Sequence, residues 1–340
     1  MDRPRRGGIA VAGAVAFFLI VQFGALVLAG PFEAAGYRSV ENPQNPANSA
    51  IYVGIVLVAT AVMLLVMRLG RTLLLRAFLV LTSGLIAVYV FSVTLPPLVV
   101  GGVDVSPWIG GALLALALAV HPEWWVIDGA GLIMGMGAAA LFGISFGILP
   151  AILLLLALAV YDAISVYGTE HMLTLASGVM ELRVPVVIVL PTTAGYSFIE
   201  DAADMADSVG DGQSSRSAES SGTEGTAGED ESGGTDESAS DASTRDAIFI
   251  GLGDAVMPSI LVASASVFLE TPTLFGVEVA PLGAIAGTTV GLLVLLWMVL
   301  KGRPHAGLPL LNGGSIAGYL LGALASGISL LGALDLEGLL

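Results

Sequence analysis

Nine apolar segments constrain the fold of this chain more than any other feature of its sequence. Most reach the ~20 residues that an α-helix needs to cross ~30 Å of hydrocarbon. Inside lipid, a helix also satisfies all of its own backbone hydrogen bonds. The sequence therefore predicts an all-α polytopic membrane protein with nine transmembrane helices. The segments are Ile9–Ala29, Ile51–Met67, Leu73–Leu95, Pro107–Val120, Val126–Phe142, Leu149–Val166, Ala247–Phe268, Leu282–Leu300 and Leu308–Leu334.

Two of the segments allow other interpretations. Pro107–Val120 is short, so it could be a re-entrant or core-buried helix. Ile9–Ala29 follows three arginines and could be a signal peptide, but its ~21 residues exceed a typical signal-peptide core and favour an uncleaved first span. Composition supports a membrane protein, because only 12% of the residues are charged against ~25% in soluble domains. The absence of cysteine excludes disulfides and thiolate chemistry.

The basic residues predict how the helices are oriented. With nine spans and a cytoplasmic N-terminus, all but one of the 12 basic residues lie on the cytoplasmic side, where membrane proteins concentrate Lys and Arg. Arg38 alone lies outside. We therefore expect a multi-pass protein of the cell membrane with its C-terminus outside. The cytoplasmic residues are Arg3, Arg5, Arg6, Arg68, Arg71, Arg76, Arg183, Arg216, Arg245, Lys301 and Arg303.

An acidic segment, residues 200–246, separates six spans from three. It is rich in Ser, Gly, Asp and Glu, and such a stretch cannot bury a core. The sequence thus predicts three units: 1–199 with helices one to six and an amphipathic extension, 200–246 as a disordered cytoplasmic loop, and 247–340 with helices seven to nine. Within the extension, Pro185–Pro191 encloses a Val/Ile/Leu run that is either a strand or a plain loop.

Glycines recur every four residues in the last two spans. Small residues at this spacing allow the backbones of neighbouring helices to approach closely. We therefore expect ordinary helix–helix packing at these positions. They are Gly283, Gly287 and Gly291 in the eighth span and Gly314, Gly318 and Gly322 in the ninth.

Only two acidic residues lie well inside apolar segments. Asp162 comes six residues before the end of the sixth span at Gly168, and Asp254 comes seven residues after the start of the seventh at Ala247. At 1.5 Å per residue, both acids lie roughly 9–11 Å from the same membrane face. Asp128 is expected to reach water at the cytoplasmic start of the fifth span. An ionisable residue inside a span is costly, so Asp162 and Asp254 mark a functional site.

Two carboxyl groups in contact inside lipid cannot both ionise, so we expect them to share a proton near neutral pH. The ionised group can take a proton from water while the protonated group donates to a carbonyl oxygen, which is general acid–base peptide hydrolysis. Gly251 and Gly253 leave room beside Asp254 for a substrate backbone or for close packing of the sixth span. Tyr161 either hydrogen-bonds near Asp162 or packs at a helix contact.

The pair of motifs resembles a known family. Tyr161-Asp162 in the sixth span, Gly251-Leu252-Gly253-Asp254 in the seventh and a long loop between them are similar to the presenilin and signal-peptide-peptidase family of intramembrane aspartyl proteases, especially its prokaryotic, archaeal-type members. The nine-span layout and the predicted orientation also resemble presenilins. The resemblance implies that Asp162 and Asp254 are catalytic and that the substrate is a transmembrane helix, unwound and paired as a strand; Pro185–Pro191 is the candidate partner strand.

A third family motif, Pro-Ala-Leu, has a partial counterpart at the start of the ninth span. The stretch here reads Ala306-Gly307-Leu308-Pro309, so the leucine and the following proline match and the first proline does not. The resemblance implies that the residues beside the two aspartates shape the active site or contact the substrate. These residues are Tyr161, Gly251, Leu252, Gly253, Gly307, Leu308 and Pro309.

Other classes of protein compete with this interpretation. A transporter could use Asp162 and Asp254 as a proton or cation relay, although the chain shows no repeated halves; a noncatalytic membrane chaperone is a further alternative. Gly143-Ile144-Ser145-Phe146-Gly147 fits a serine-hydrolase pattern, but Ser145 lies near the outer face and all three histidines are cytoplasmic. We expect no metal or cofactor and no nucleic-acid partner. The expected partners are transmembrane protein substrates and membrane lipid. No obligatory partner subunit is evident, and a homo-oligomer stays open.

Overall fold

The computed structural model describes residues 3–168, 187–191, 247–301 and 306–336. The predicted acidic loop and most of the amphipathic extension lie outside these residues. Within them the chain is mostly helical, as predicted. The helices are α1 (Arg3–Ala34), α2 (Ala47–Arg68), α3 (Thr72–Thr94), α4 (Ser106–Val120), α5 (Trp124–Ser145), α6 (Ile148–Gly168), α7 (Leu252–Phe268), α8 (Val279–Leu300), α9 (Gly307–Ala325) and α10 (Leu330–Ala333).

Each of the nine apolar segments corresponds to one of the helices α1–α9. Seven of the described helices are long and apolar enough to cross a membrane, whereas α4 and α7 are shorter, with 15 and 17 residues. The short α4 agrees with the short fourth segment. Hydrophobic side chains on the outer helices face outward; on α2, for example, Val58 is 65% exposed. Exposed apolar surface of this extent indicates a protein solvated by lipid.

Three antiparallel pairs of short strands connect or precede the helices. β1 (Val99–Val100) pairs with β2 (Val103–Asp104) between α3 and α4, and β5 (Thr273–Leu274) pairs with β6 (Val277–Glu278) between α7 and α8. The third pair joins distant parts of the chain. In it, β3 (Val187–Pro191) runs antiparallel to β4 (Ala247–Gly251), with Val187 opposite Gly251 and Pro191 opposite Ala247.

The strand β3 lies inside the run between Pro185 and Pro191, where the sequence allowed a strand or a loop. β4, in contrast, corrects the prediction for the seventh segment. Ala247–Gly251 was expected to be the first part of a helix, but it is a strand, and α7 begins only at Leu252. The physical reason is that a five-residue apolar run fits a buried strand as well as a helix, and here it finds a pairing partner in β3.

The ninth segment also differs from its prediction. Leu308–Leu334 was expected to form one helix, but α9 ends at Ala325 and a separate short helix, α10, follows at Leu330–Ala333. Between them Gly327 has a φ of +82°, which interrupts a helix and which glycine adopts without strain. The Tyr319 hydroxyl in α9 donates to the carbonyl of Ala333 at 2.6 Å and holds α10 against α9.

The central element of the bundle is α7, the helix that begins beside Asp254. It packs against α1, α5, α6, α8 and α9, and Leu261, Val262 and Ala263 are fully buried. A helix that is apolar all round is expected at the centre of a bundle. Serine hydroxyls inside it are satisfied by backbone carbonyls: that of Ser259 donates to Ala255 of the same helix, and that of Ser264 donates to Phe146, just after α5.

One arginine connects several helix ends at one end of the bundle. The Arg38 guanidinium lies 5.6 Å from the ring centroid of Phe268 at the end of α7 and donates to the carbonyl of Ile144 at the end of α5 at 3.2 Å. It also forms an ion pair with Glu33 in α1. Hence α1, α5 and α7 end together at this Arg38 face. The opposite end, where α6 ends and α7 begins, is called the aspartate face below.

The six regularly spaced glycines form the contact between α8 and α9, as predicted. A Cβ atom on Gly287 would collide with the carbonyl oxygen of Gly314, and a Cβ atom on Gly318 would collide with that of Gly283. The two backbones are therefore in direct contact along the glycine stripe. This close packing fixes α9 against α8, which matters because α9 begins at the aspartate face.

Adjacent glycines of α9 provide a matched test of this contact. Gly314→Ala places a methyl group into the Gly287 backbone, and overpacking of this kind costs ~1–3 kcal/mol. Gly313→Ala meets nothing within 4 Å and gains up to ~1 kcal/mol of helix propensity. We expect thermal unfolding in detergent to show a lower Tm for Gly314→Ala only. Equal Tm values for the two variants would contradict the backbone contact.

Candidate active site

Asp162 lies in the second-last turn of α6 and binds the beginning of α9. Its Oδ2 atom accepts a hydrogen bond of 3.0 Å from the Leu308 N–H, and the Gly307 N–H also donates to this carboxyl group. Both N–H groups belong to the first turn of α9, where a helix has unpaired donors and the positive end of its dipole. A negative charge on Asp162 is thus stabilised by backbone N–H groups at the start of α9.

Asp254 lies in the first turn of α7, three residues after the end of β4. Its carboxyl group is near Gly251, just before α7, and Gly307, the first residue of α9: a Cβ atom on Gly251 would lie 3.5 Å from Oδ2, and one on Gly307 would lie 3.6 Å from it. An acid in a first turn also complements the dipole of its own helix. Pro258 has no N–H, so it cannot donate to the Asp254 carbonyl in the usual α-helical pattern.

The structure brings the two aspartates together at the start of α9. Gly307 is next to Asp254, and the following residue, Leu308, binds Asp162. The two carboxyl groups also interact electrostatically with each other. The equal depth predicted for the two acids assumed a helix before Asp254, but five of the seven residues before it form β4. A helical rise of 1.5 Å per residue therefore does not apply there.

Within the part of the chain that the structure describes, the glycines around Asp254 have open space beside them. A Cβ atom on Gly253 would meet nothing within 4 Å, and one on Gly251 would approach only the Asp254 carboxyl group among the described residues. The predicted alternative, close packing of α6 on these glycines, is absent from this part of the chain. Leu252 points the other way: it is 8% exposed, and its Cδ1 lies 3.3 Å from where a Cβ of Gly135 in α5 would be.

The remaining predicted site residues have distinct positions. Tyr161 is 49% exposed, and its hydroxyl makes no hydrogen bond to the described part of the chain. Pro309 occupies the third position of α9, where a helical N–H would be unpaired in any case and proline is tolerated. The start of α9 is thus set by Gly307, Leu308 and Pro309 in succession.

Ser145, the centre of the superficial serine-hydrolase pattern, is far from this site. It lies at the Arg38 face, 1% exposed. Its hydroxyl donates to the Leu141 carbonyl at 2.7 Å and accepts from the Ser39 N–H at 3.0 Å. Both contacts are structural, so Ser145 has no role as a nucleophile.

Sequence reasoning missed two buried polar residues of α9, Asn312 and Ser315. Asn312 donates to the Leu155 carbonyl of α6 at 2.9 Å, and Ser315 donates to the Pro258 carbonyl of α7 at 3.3 Å. Their signal in the sequence was an amide and a hydroxyl inside an apolar helix, one and two turns after the partial Pro-Ala-Leu motif. Polar side chains in such helices commonly hydrogen-bond across helices.

Two carboxyl groups that the start of one helix brings near each other inside an apolar bundle are typical of one class, the aspartyl hydrolases that work within the membrane. A family model described as signal-peptide peptidase, presenilin aspartyl protease matches residues 15–328. This chain belongs to that family. Its members are intramembrane aspartyl proteases, so the protein is a protease of this type and the transporter interpretation is disfavoured.

Solved structures agree with the family assignment. One structure of a presenilin family intramembrane aspartate protease is 33% identical, with 93% of this chain and 99% of that chain covered and a TM-score of 0.62. Another structure of a presenilin family intramembrane aspartate protease, in a different space group, is 34% identical, with 92% of this chain and 97% of that chain covered and a TM-score of 0.59. Comparison with curated proteins found no match.

Gly307 provides a test of the space between the two aspartates. In Gly307→Ala the new Cβ would lie 3.4 Å from Leu295 and 3.6 Å from Asp254 Oδ2, which are ordinary contacts. We expect this variant to cleave a transmembrane peptide at close to the wild-type rate. We expect the larger side chain of Gly307→Leu to displace the Asp254 carboxyl group, and a ~1 Å error at reacting groups costs roughly 100-fold in rate.

The control for Gly307→Leu is Gly313→Leu, which adds the same side chain to α9 at a position with open space. It should retain the wild-type rate of peptide cleavage. Full activity of Gly307→Leu would show that the start of α9 does not fill the space beside the aspartates.

Proposed function

We propose that Asp162 and Asp254 are the two catalytic groups of this protease and that they act together on one water molecule. The observation that carries the proposal is the start of α9, where consecutive residues reach both acids: Gly307 lies beside Asp254 and the Leu308 N–H binds Asp162. Other described acids lack this arrangement. Asp104, for example, lies in β2 and accepts three hydrogen bonds from Leu98 and Ser106.

The chemistry is general acid–base hydrolysis of a peptide bond. The pair shares one proton, because two ionised carboxyl groups in contact repel each other strongly in a low-dielectric site. The ionised group takes a proton from the water, whose oxygen attacks the carbonyl carbon, while the other acid donates its proton to the carbonyl oxygen. Proton transfer to the amide nitrogen then lets the C–N bond break. No covalent enzyme intermediate forms.

The substrate we propose is an unwound stretch of a transmembrane helix. In a helix each carbonyl is held in a hydrogen bond, so the chain must open locally before water can attack it. Open space at Gly251 and Gly253 beside Asp254 suits an extended chain. β4 leads directly into this turn, and the sheet of β3 and β4 has outer edges where an extended chain could satisfy its backbone groups by adding a strand.

Replacing either aspartate tests the catalytic assignment. Asp162→Asn and Asp254→Asn keep the side-chain shape but remove the acid, so each should reduce cleavage of a transmembrane peptide by at least about 1,000-fold. Asp104→Asn is the matched control, because it makes the same change at an acid of β2 outside the site and should cleave normally. Circular dichroism establishes that all three variants are helical. Substantial cleavage by Asp254→Asn would refute the assignment.

We infer that the aspartate face is cytoplasmic, with the N-terminus on the same side and the C-terminus outside. The distribution of basic residues supports this orientation. If each helix crosses the membrane once, all odd-numbered helices end on the same side. The ends of α1, α5 and α7 do lie together, at the Arg38 face. The same orientation makes the acidic segment 200–246 cytoplasmic.

Because the chain has no cysteine, single cysteines can report the orientation directly. Glu41 lies in the exposed α1–α2 loop at the Arg38 face and is replaced in Glu41→Cys. Leu69, between α2 and α3, is 66% exposed and is replaced in Leu69→Cys. A membrane-impermeant maleimide should label Glu41→Cys on intact cells, and Leu69→Cys only after permeabilisation. The reverse pattern would invert the proposed orientation.

A further inference from the structure

Two buried side chains of α9 bind the backbones of the two helices that carry the aspartates. Asn312 Nδ2 donates to the carbonyl of Leu155 in α6 at 2.9 Å, and Ser315 Oγ donates to the carbonyl of Pro258 in α7 at 3.3 Å. Both side chains are 0% exposed. They are three residues apart and so lie on one face of α9. One face of α9 is therefore hydrogen-bonded to both helices.

Asn312 is a costly residue at this position. Its Oδ1 atom has no hydrogen-bond partner among the residues that the structure describes, and an unpaired buried polar atom costs ~1–3 kcal/mol. Leucine has a similar shape and would avoid this cost in an apolar bundle. A contribution to stability therefore does not explain the asparagine. A fixed helix register explains it, because the Asn312 amide must meet one particular carbonyl. This requirement disfavours every other position of α9 along α6.

The site requires that α9 has one fixed position along α6. Leu308 lies one turn before Asn312, and its N–H bonds Asp162 at 3.0 Å. Sliding α9 along α6 by a single residue would move it by ~1.5 Å. That shift would break the bond to Asp162 and the bond between Asn312 and Leu155 together. The bond between Asn312 and Leu155 thus keeps the bond between Leu308 and Asp162 in place.

The connection to α7 works in the same way. Pro258 lies one turn after Asp254 in α7, and its carbonyl accepts from Ser315. Gly307, at the start of α9, lies next to the Asp254 carboxyl group. A movement of α7 relative to α9 would therefore disturb both contacts. The Asn312 and Ser315 bonds together fix α6 and α7 relative to the same helix.

We propose that Asn312 and Ser315 are positioning residues of the protease reaction, which hold α9 in the register at which Gly307 and Leu308 reach both carboxyl groups. Neither side chain touches the reacting atoms. The inference rests on the proposed catalytic role of Asp162 and Asp254. Because misplacement of reacting groups by ~1 Å can cost roughly 100-fold in rate, loss of either bond acts on kcat and not on the affinity for substrate.

The experiment compares Asn312→Leu and Ser315→Ala in the full-length protein with Thr288→Val as control. Thr288 is equally buried, but its hydroxyl donates to the Ala284 carbonyl within α8 and joins no second helix. The measurements are kcat and KM for a transmembrane peptide, the affinity for a peptide containing a hydroxyethylene isostere of the cleaved bond, and Tm. We expect kcat to fall about 10- to 100-fold for Asn312→Leu and about 3- to 10-fold for Ser315→Ala.

The other measurements distinguish positioning from a general loss of structure. Isostere affinity should fall together with kcat, since this ligand binds both carboxyl groups, while KM and Tm stay close to wild type. Thr288→Val should leave all four quantities unchanged. An unchanged kcat for Asn312→Leu, or a kcat loss that follows a loss of Tm, would overturn the inference. If Asn312→Leu does not fold, the same criteria applied to Ser315→Ala decide.

Failure of this inference is separable from failure of the proposed function. If Asp162→Asn and Asp254→Asn are inactive while Asn312→Leu and Ser315→Ala cleave normally, the catalytic pair stands and the positioning role is wrong. If Asp254→Asn retains activity, the catalytic assignment is wrong, and the positioning role that rests on it falls as well.

Discussion

The hydrogen bond from the Leu308 N–H to Asp162 is the interaction on which the site depends. It uses a donor that a helix cannot satisfy internally, at the positive end of the helix dipole, so backbone groups stabilise an acid inside an apolar bundle. The same turn of α9 brings Gly307 to Asp254. The geometry of the pair is therefore determined by where α9 begins and how α9 is held.

Polar side chains inside this bundle fall into two groups with different consequences. Ser259 and Thr288 donate to carbonyls one turn back in their own helices, which satisfies the hydroxyl but restrains no neighbour. Asn312 and Ser315 donate to other helices, and both bonds lead to a helix that carries an aspartate. In lipid, where apolar packing gives little preference for one register over another, hydrogen bonds between helices and direct glycine contacts restrict sliding.

The helices of the fold could be predicted from the sequence because lipid requires long apolar segments and leaves few alternatives. The glycine contact between α8 and α9 could be predicted from its regular spacing, because small residues every four positions let helix backbones approach closely. The strand β4 could not be predicted, because Ala247–Gly251 is apolar and short, and its state depends on pairing with β3, more than fifty residues earlier in the chain. Asp162 and Asp254 stood out as acids in apolar segments, whereas Asn312 and Ser315 acquire meaning only from the carbonyls that they meet.

Arg38 departs from the rule that basic residues lie on the cytoplasmic side, and its contacts give a physical reason. It is the one basic residue that the predicted orientation places outside, yet it is not a free loop charge. Glu33 pairs with it, the Ile144 carbonyl accepts from it and the Phe268 ring lies against it. The tendency of basic residues to remain in the cytoplasm concerns charges in short loops during insertion. An arginine that joins the ends of α1, α5 and α7 is retained for packing, so its position does not weaken the orientation that the other basic residues predict.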